Sequence, residues 1–353
     1  MGVRSRFLKV LALLLAFALL AALAVGCNGD EEAEEEKPTS DVKAAMVTDV
    51  GGLGDKSFND LSYEGLKKAE EDFGIEIKVL ESKEITDYEQ NIDLLVQEGY
   101  SPVFAVGFLM TDTVVKLAPT YPDTYFGGID EFFDPTILNA RGLNFNEHEA
   151  SYLAGVLAAH VTTDKTVSDM VNDDKVVGFV GGMDVPLIKK FEAGFKAGVQ
   201  SVDPSIKVFS LYAGNFTDQA KGKELGLSLI DQKADVIFAA AGAVGLGTIQ
   251  ACQEQGALFI GVDADQYVTV PDSGDVMLSS VVKRVDTAVY ETIKSVVEGD
   301  FQGGENVFFG LKEGGMALAP YHDFENAVPQ EIKDAVEEAN QAIIDGTITV
   351  PDK

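Results

Sequence analysis

From residue 43 onward, short apolar runs alternate with stretches whose apolar residues recur at helical spacing. Ala44–Val50 reads as a strand and Asn59–Phe73 as a helix, with Phe58, Leu61, Leu66, Ala69 and Phe73 along one face. The alternation continues with a strand at Glu76–Leu80, a helix at Asp87–Glu98 and a strand at Val103–Val106. Thr111–Leu117, Tyr125–Ile129 and Gly142–Phe145 follow, then a longer helix at Glu147–His160. At Lys175 the pattern restarts. Val176–Gly182 runs into a glycine turn, followed by a helix at Pro186–Val199 and a strand at Lys207–Leu211. A helix at Gln219–Asp231, a strand at Asp235–Ala239, and then Gly245–Glu254 and Leu258–Val262 complete the second set. Such alternation predicts parallel sheets covered on both faces.

The two sets repeat one another weakly. Tyr63-Glu-Gly-Leu-Lys-Lys leads to Ile77-Lys-Val, and Glu192-Ala-Gly-Phe-Lys-Ala leads to Ile206-Lys-Val. In each, a glycine (Gly65, Gly194) sits inside a helix, where it costs roughly 1 kcal/mol against alanine. Close helix–sheet packing is the expected reason. The repeat predicts two similar α/β lobes, one from residues 43–146 and 284–315, the other from 147–283 and 316–353. Gly310–Ala319 reads as extended segments crossing between them, and an amphipathic helix follows through Ile332, Ala335, Val336, Ala339 and Ile343.

The first residues read as a targeting segment, outside the fold. Arg4, Arg6 and Lys9 precede an apolar run from Leu11 to Val25, which stops at Gly26-Cys27. This is similar to a bacterial lipoprotein signal, residues 1–26, cut before a lipidated Cys27, although Ala24 stands where leucine is commoner. The alternative is an uncleaved anchor, since the run nearly reaches the ~20 residues of a spanning helix. The stop at Gly-Cys favours lipidation. Either way the body lies outside the cytoplasm, held at the cell membrane. Residues 27–42 are strongly acidic with little to bury, a self-repelling tether.

With 353 residues and 46% hydrophobic content, the chain can bury two cores. Its formal net charge of -31 repels nucleic acid backbones and anionic lipid surfaces, so no nucleic acid partner is expected. Three histidines, His148, His160 and His322, are too scattered for a histidine metal site, and no cofactor is expected. With Cys27 lipidated, Cys252 has no partner for a disulfide. Its setting, Ile249-Gln-Ala-Cys-Gln-Glu, is that of a small core residue in a helix.

The glycine-rich turn Asp49-Val-Gly-Gly-Leu-Gly-Asp-Lys-Ser-Phe-Asn59 lies at a strand's carboxyl end, where open α/β sheets bind ligands. It is no phosphate loop: Asp55 splits Gly54 from Lys56 and would repel the anion. Gly242-Ala-Val-Gly-Leu-Gly247 has the wrong spacing for a dinucleotide fingerprint. Nucleophile elbows, zinc-protease motifs and paired cysteines are missing from the sequence, which points to binding over catalysis. What remains is a set of polar and aromatic residues at predicted strand ends. The first lobe offers Asp49, Ser57, Phe58, Asn59, the Phe108–Met110 turn (Phe108, Met110) and Asp130. The second offers Phe216, Gly242, Asp263 and Lys283. Singly, each has a plainer role, Phe58 and Phe216 as core, Asp130 as a helix cap, Lys283 as a surface charge. Together, at nearly every strand end, they point to one cleft between two lobes.

Four stretches, the glycine turn, Val177-Gly-Phe-Val-Gly-Gly-Met183, Gly261-Val-Asp-Ala-Asp-Gln266 and Val282-Lys-Arg-Val-Asp286, resemble the basic membrane protein family. That family includes the purine nucleoside receptor lipoproteins of bacteria, and the resemblance runs from about residue 43 to the end. It implies a type I periplasmic-binding-protein fold and a monomeric substrate receptor for an ABC importer, with nucleosides as ligands and a membrane permease as partner. It places Phe58 and Phe216 on the two faces of the base and Asn59 and Asp130 at its edge. Asp263, Lys283 and the Gly242 amide would hold the ribose hydroxyls, with Asp49, Ser57 and the Phe108–Met110 turn lining the pocket. An acid near Asp130 (Glu131, Asp134) is an alternative edge contact. The runner-up function is a nucleoside-processing enzyme using cleft carboxylates. A third keeps the fold for a sugar or another small ligand, or for a sensory role.

Overall fold

A computed structural model describes residues 40–353; the signal segment, Cys27 and nearly all of the tether lie outside the described residues. Two six-stranded sheets form the framework. The first holds β1 (Lys43–Val47), β2 (Glu76–Leu80), β3 (Val103–Val106), β4 (Phe126–Ile129) and β5 (Ala140–Phe145). The second holds β6 (Val176–Gly181), β7 (Lys207–Tyr212), β8 (Val236–Ala240), β9 (Leu258–Asp263) and β10 (Met277–Lys283). β11 (Glu305–Phe309) joins the edge of the first sheet beside β5, and β12 (Met316–Leu318) the edge of the second beside β10. Strand order is β11-β5-β4-β3-β1-β2 in one and β12-β10-β9-β8-β6-β7 in the other. The weak sequence repeat is therefore a repeat of topology. Pairing is parallel except for β12, which runs antiparallel to β10. The central strands β3, β4, β6, β8 and β9 are buried along their whole length, as parallel strands covered on both faces must be.

The helices are α1 (Phe58–Phe73), α2 (Asp87–Gln97), α3 (Thr111–Leu117), α4 (Glu147–Val161), α5 (Pro186–Val202), α6 (Gln219–Asp231) and α7 (Ala243–Gln255). After the short α8 (Gln266–Thr269) come α9 (Val285–Val297) and α10 (Gln330–Ile344). Between Val262 and the Gly310–Ala319 segments the periodicity predicts no element, and there the structure adds β10, α9 and β11. In β10 two buried serines interrupt the apolar run, and both are satisfied. The Ser279 hydroxyl donates to the Ala319 carbonyl at 2.8 Å, and Ser280 Oγ accepts from the Gln266 amide at 3.1 Å.

The chain changes sheet three times. After β5 it passes to α4, which packs on α5 beside the second sheet; after β10 it passes to α9, which packs on α1 beside the first; and β11 leads across to β12. The crossings are tied to one another. The Asn146 amide donates to the Phe309 carbonyl at 2.9 Å, the Arg284 amide to the Gly315 carbonyl at 2.8 Å, and the Leu311 amide to Glu149 Oε2 at 2.8 Å.

The helical glycines do permit close packing, though of helix on helix and not helix on sheet. A Cβ on Gly65 would lie 2.3 Å from the Asp286 carbonyl oxygen of α9, and one on Gly194 2.1 Å from the His148 carbonyl oxygen of α4. Backbone is what each helix meets, so no side chain can move aside. Gly194→Ala is therefore expected to destabilise the fold: overpacking costs about 1–3 kcal/mol, more than the ~1 kcal/mol gained in helix propensity. Urea unfolding checks this, and an unchanged or raised midpoint would show that α4 and α5 can separate without cost.

Candidate functional site

Asp55 explains why the glycine-rich turn cannot hold a phosphate. Its Oδ1 accepts from the amides of Ser57 (3.0 Å) and Asp60 (3.2 Å), and its Oδ2 from that of Asn59 (2.8 Å). The free amides at the start of α1, where an anion would bind, are already capped by a carboxylate of the same loop. Asn59 is held just as firmly. Its Nδ2 donates to Asp49 Oδ1 at 2.8 Å and Asp55 Oδ2 at 3.0 Å, an orientation forced by two acceptor-only neighbours, and its buried Oδ1 has no partner. Asp49 Oδ1 also accepts from the Gly51 amide at 2.8 Å.

This corner opens onto a cleft between the two sheets, with about 640 Å³ of space between protein atoms, part of it open to solvent. Of the residues singled out in the sequence, Asp49, Phe58, Asn59, Phe108 and Asp130 line it from the first half, and Phe216, Gly242, Asp263 and Lys283 from the second. Ser57 and Met110 do not line it. Met110 is wholly buried beneath the turn, and Ser57, also buried, donates its hydroxyl to Asp263 Oδ2 at 2.6 Å, a bond that joins the two halves. Glu131 is buried with neither carboxyl oxygen hydrogen-bonded and is not in the lining, and neither is the exposed Asp134. The lining also includes Asp55, rejected as a phosphate ligand, and Leu187, Ile188 and Phe191 from the start of α5. These three carry the spacing of ordinary helix core positions, so the signal that marks them is only their place after the β6 turn.

Phe216 meets Phe108 edge to face across the cleft, with ring centroids 6.5 Å apart. Gly242 has φ +58, and a Cβ there would press on the Phe216 carbonyl at 3.1 Å, so this approach requires glycine. Asp130 and Asp263 stand at equivalent strand ends in the two sheets, and both have left-handed backbone (φ +61 and +63). Such strain in a non-glycine residue persists where the surroundings over-determine it.

Lys283 is the cation of this site. At 1% exposure its Nζ donates to Asp130 Oδ1 and Oδ2 at 2.6 and 2.7 Å and to Glu147 Oε1 at 3.2 Å. Burial alone would lower its pKa, but Asp130, Glu147 and Asp263 outweigh that, and the ammonium is held well above its ordinary range. Burial pushes the Asp263 carboxyl up to about 6 against the pull of Lys283 and the Ser57 hydroxyl. Burial likewise pushes Asp49 up to about 6, opposed by its bonds from Asn59 and Gly51. At neutral pH the walls thus present Asp49, Asp55, Asp130 and Asp263 against one lysine that is already paired. The cleft suits an uncharged ligand rich in hydrogen-bond donors and disfavours an anion.

A carboxyl with a raised pKa binds more protons in the folded than in the unfolded chain between about pH 4 and 6, so its contribution to stability is lost as pH rises through that window. Asp263→Asn removes one such group. Relative to the parent, its unfolding free energy is expected to rise between about pH 4.5 and about pH 7.5, by about 2 kcal/mol. Urea titrations at both pH values check this, and a difference that does not move with pH would return Asp263 to an ordinary carboxylate.

Residues 42–353 match the family model described as "ABC transporter substrate-binding protein PnrA-like". The "ABC transporter nucleoside-binding protein BmpA" of Lactococcus lactis subsp. cremoris is 36% identical over 370 residues, covering 99% of this chain and 100% of that one. An uncharacterised lipoprotein of Pyrococcus abyssi is 34% identical over 317 residues, covering 87% of this chain and 76% of its own. Among solved structures, an ABC transporter solute-binding protein of Aeropyrum pernix K1 superposes with a TM-score of 0.80 at 29% identity, covering 88% of this chain and 94% of that one. With the two parallel-dominated sheets of a type I solute-binding protein, the chain belongs to the PnrA-like family of ABC transporter substrate-binding proteins.

Proposed function

We propose that this protein is a nucleoside receptor, lipid-anchored at Cys27 on the outer face of the cell membrane, that delivers purine nucleosides to an ABC permease. One observation carries the nucleoside reading: both halves bring aromatic rings and hydrogen-bond acceptors into one cleft with no grip for an anion. Phe58 and Phe216 stack on the base, which contributes about 1–3 kcal/mol per ring whatever the base. Asn59 and Asp130 read its edge, Asn59 through the unpartnered Oδ1 and Asp130 through lone pairs left beside Lys283. Asp263 accepts from the ribose hydroxyls, with Lys283 and the Gly242 amide beside it. The likeness to the Lactococcus lactis nucleoside-binding protein supports the ligand class, and the Pyrococcus abyssi lipoprotein supports the anchor. Among the described residues no helix is long and apolar enough to cross a membrane.

The moving parts in this reading are residues 43–146 with 284–315 and residues 147–283 with 316–353, closing as a monomer about the three crossings. A ligand that touches both favours the closed state, and the closed state is what the permease would recognise. Transport energy would come from the importer.

Phe58→Ala and Asp263→Ala are each expected to weaken nucleoside binding by at least ~1 kcal/mol, about fivefold or more by calorimetry. Unchanged affinity in both would remove this pocket. A nucleoside 5′-monophosphate should bind at least about tenfold more weakly than its nucleoside, because its phosphate meets uncompensated carboxylates. Release of free base above background would replace the receptor with a nucleoside-processing enzyme, and a thermal shift with sugars alone would replace the ligand.

A further inference from the structure

Both halves of the protein surround the ammonium of Lys283. The first half supplies Asp130 and two rings, Phe58 and Phe145, whose centroids lie 5.3 and 4.9 Å from Nζ. The second supplies Phe191 at 5.8 Å and Glu147, whose Oε1 is 3.2 Å away. Glu147 is the first residue of α4, directly after a crossing, and α4 packs on the half whose strand β10 carries Lys283. It has no exposed surface and does not line the cleft. Its Oε2 faces Lys190 Nζ of α5 at 3.4 Å, so it is fixed wholly within the second half. Asp263, also in that half, acts on the ammonium at longer range while its Oδ2 accepts from Ser57.

We propose that Glu147 is a positioning residue for closure, the counterion that Lys283 keeps when the halves separate, and that it thereby sets how strongly Lys283 seeks Asp130. This rests on the receptor reading, in which the halves open and close. On opening, Asp130, Phe58 and Phe145 depart with the first half. Lys283 then retains Glu147 as its hydrogen-bonded carboxylate, and the buried charge is never left alone. In the closed state the lysine holds Asp130 through both oxygens, so loss of Glu147 costs the open state more than the closed one. Glu147 weakens closure by making opening tolerable.

The test is the distance between spin labels, one on an outer helix of each half, in the full chain with and without guanosine. Ligand-free Glu147→Gln should show a shorter mean distance than the parent, and guanosine should leave about fivefold more slowly, the scale of a modest coupling between sites. Asp130→Asn, which keeps the Lys283–Glu147 pair, should be more open. In Asp130→Asn the further change Glu147→Gln should no longer shorten the distance. A ligand-free Glu147→Gln distance equal to or longer than the parent's overturns the assignment, as does an undiminished shortening without Asp130. A Glu147 that only supports the fold would lower stability without closing the cleft. Should Glu147→Gln not fold, Glu147→Asp takes its place with a smaller shortening expected, and an unchanged distance overturns the assignment equally. A parent that opens without guanosine and closes with it, but ignores Glu147, leaves the receptor reading intact. A parent whose distance never responds to guanosine overturns that reading too.

Discussion

A buried lysine needs anions, and in this protein its carboxylates come from both halves. Lys283 holds Asp130 across the cleft and Glu147 within its own half, and the carboxylates keep it charged despite full burial. A charge taken out of water at this depth is tolerable only while its partners are in place. The cleft geometry follows from that constraint. Asp130 is held in left-handed backbone at the end of β4, three rings pack around the ammonium, and Asp263 is left to accept from Ser57. The arrangement of the two halves is thus written in specific bonds between them.

Those bonds are possible because the fold is a repeated unit with exchanged helices. Each sheet has the same strand order, so Asp130 and Asp263 occupy matching strand ends and both line the cleft. The helix after the fifth strand of each set packs on the other half, α4 on α5 and α9 on α1. Glycines at both contacts bring backbone against backbone, which fixes each exchanged helix closely to the helix it packs on. The crossings between halves are short and hydrogen-bonded to each other around Asn146, Arg284 and Gly310–Gly315. This is the arrangement in which a small ligand contacting both sides can shift the balance between open and closed states.

The electrostatics of the cleft narrow its chemistry. Asp55 caps the helix terminus whose free amides would otherwise attract a phosphate, and Asn59 is locked with its carbonyl oxygen unpaired. The side chains lining the cleft include the carboxylates of Asp49, Asp55, Asp130 and Asp263 against the single, already paired ammonium of Lys283. Rings supply affinity that does not depend on hydrogen bonding, and acceptors select for hydroxyl and amine donors, a combination that fits a nucleoside better than a nucleotide.

Much of this was legible before the fold was known, where the signal was local. Strand-then-glycine-turn patterns placed Asp49, Phe58, Asn59, Phe216, Gly242 and Asp263 at strand ends, because periodicity reports which residues face inward and a turn marks where a strand stops. Residues whose role depends on a distant partner were read incompletely. Glu147 looks like an ordinary acid at a helix start, Phe191 like a core residue, and Ser57 like part of the pocket lining, although it binds Asp263 across the cleft. The periodicity does not predict β10, because its serines find partners in Ala319, just after β12, and in Gln266 of α8 that no local pattern announces. The sequence by itself determined the alternation of elements, the doubled architecture and the chemistry available at the strand ends. Only the tertiary structure decided that β11 pairs with β5 and β12 with β10, and which acid pairs with Lys283. Periodicity records that a residue is buried, and a partner 153 residues away in the chain is chosen by packing alone.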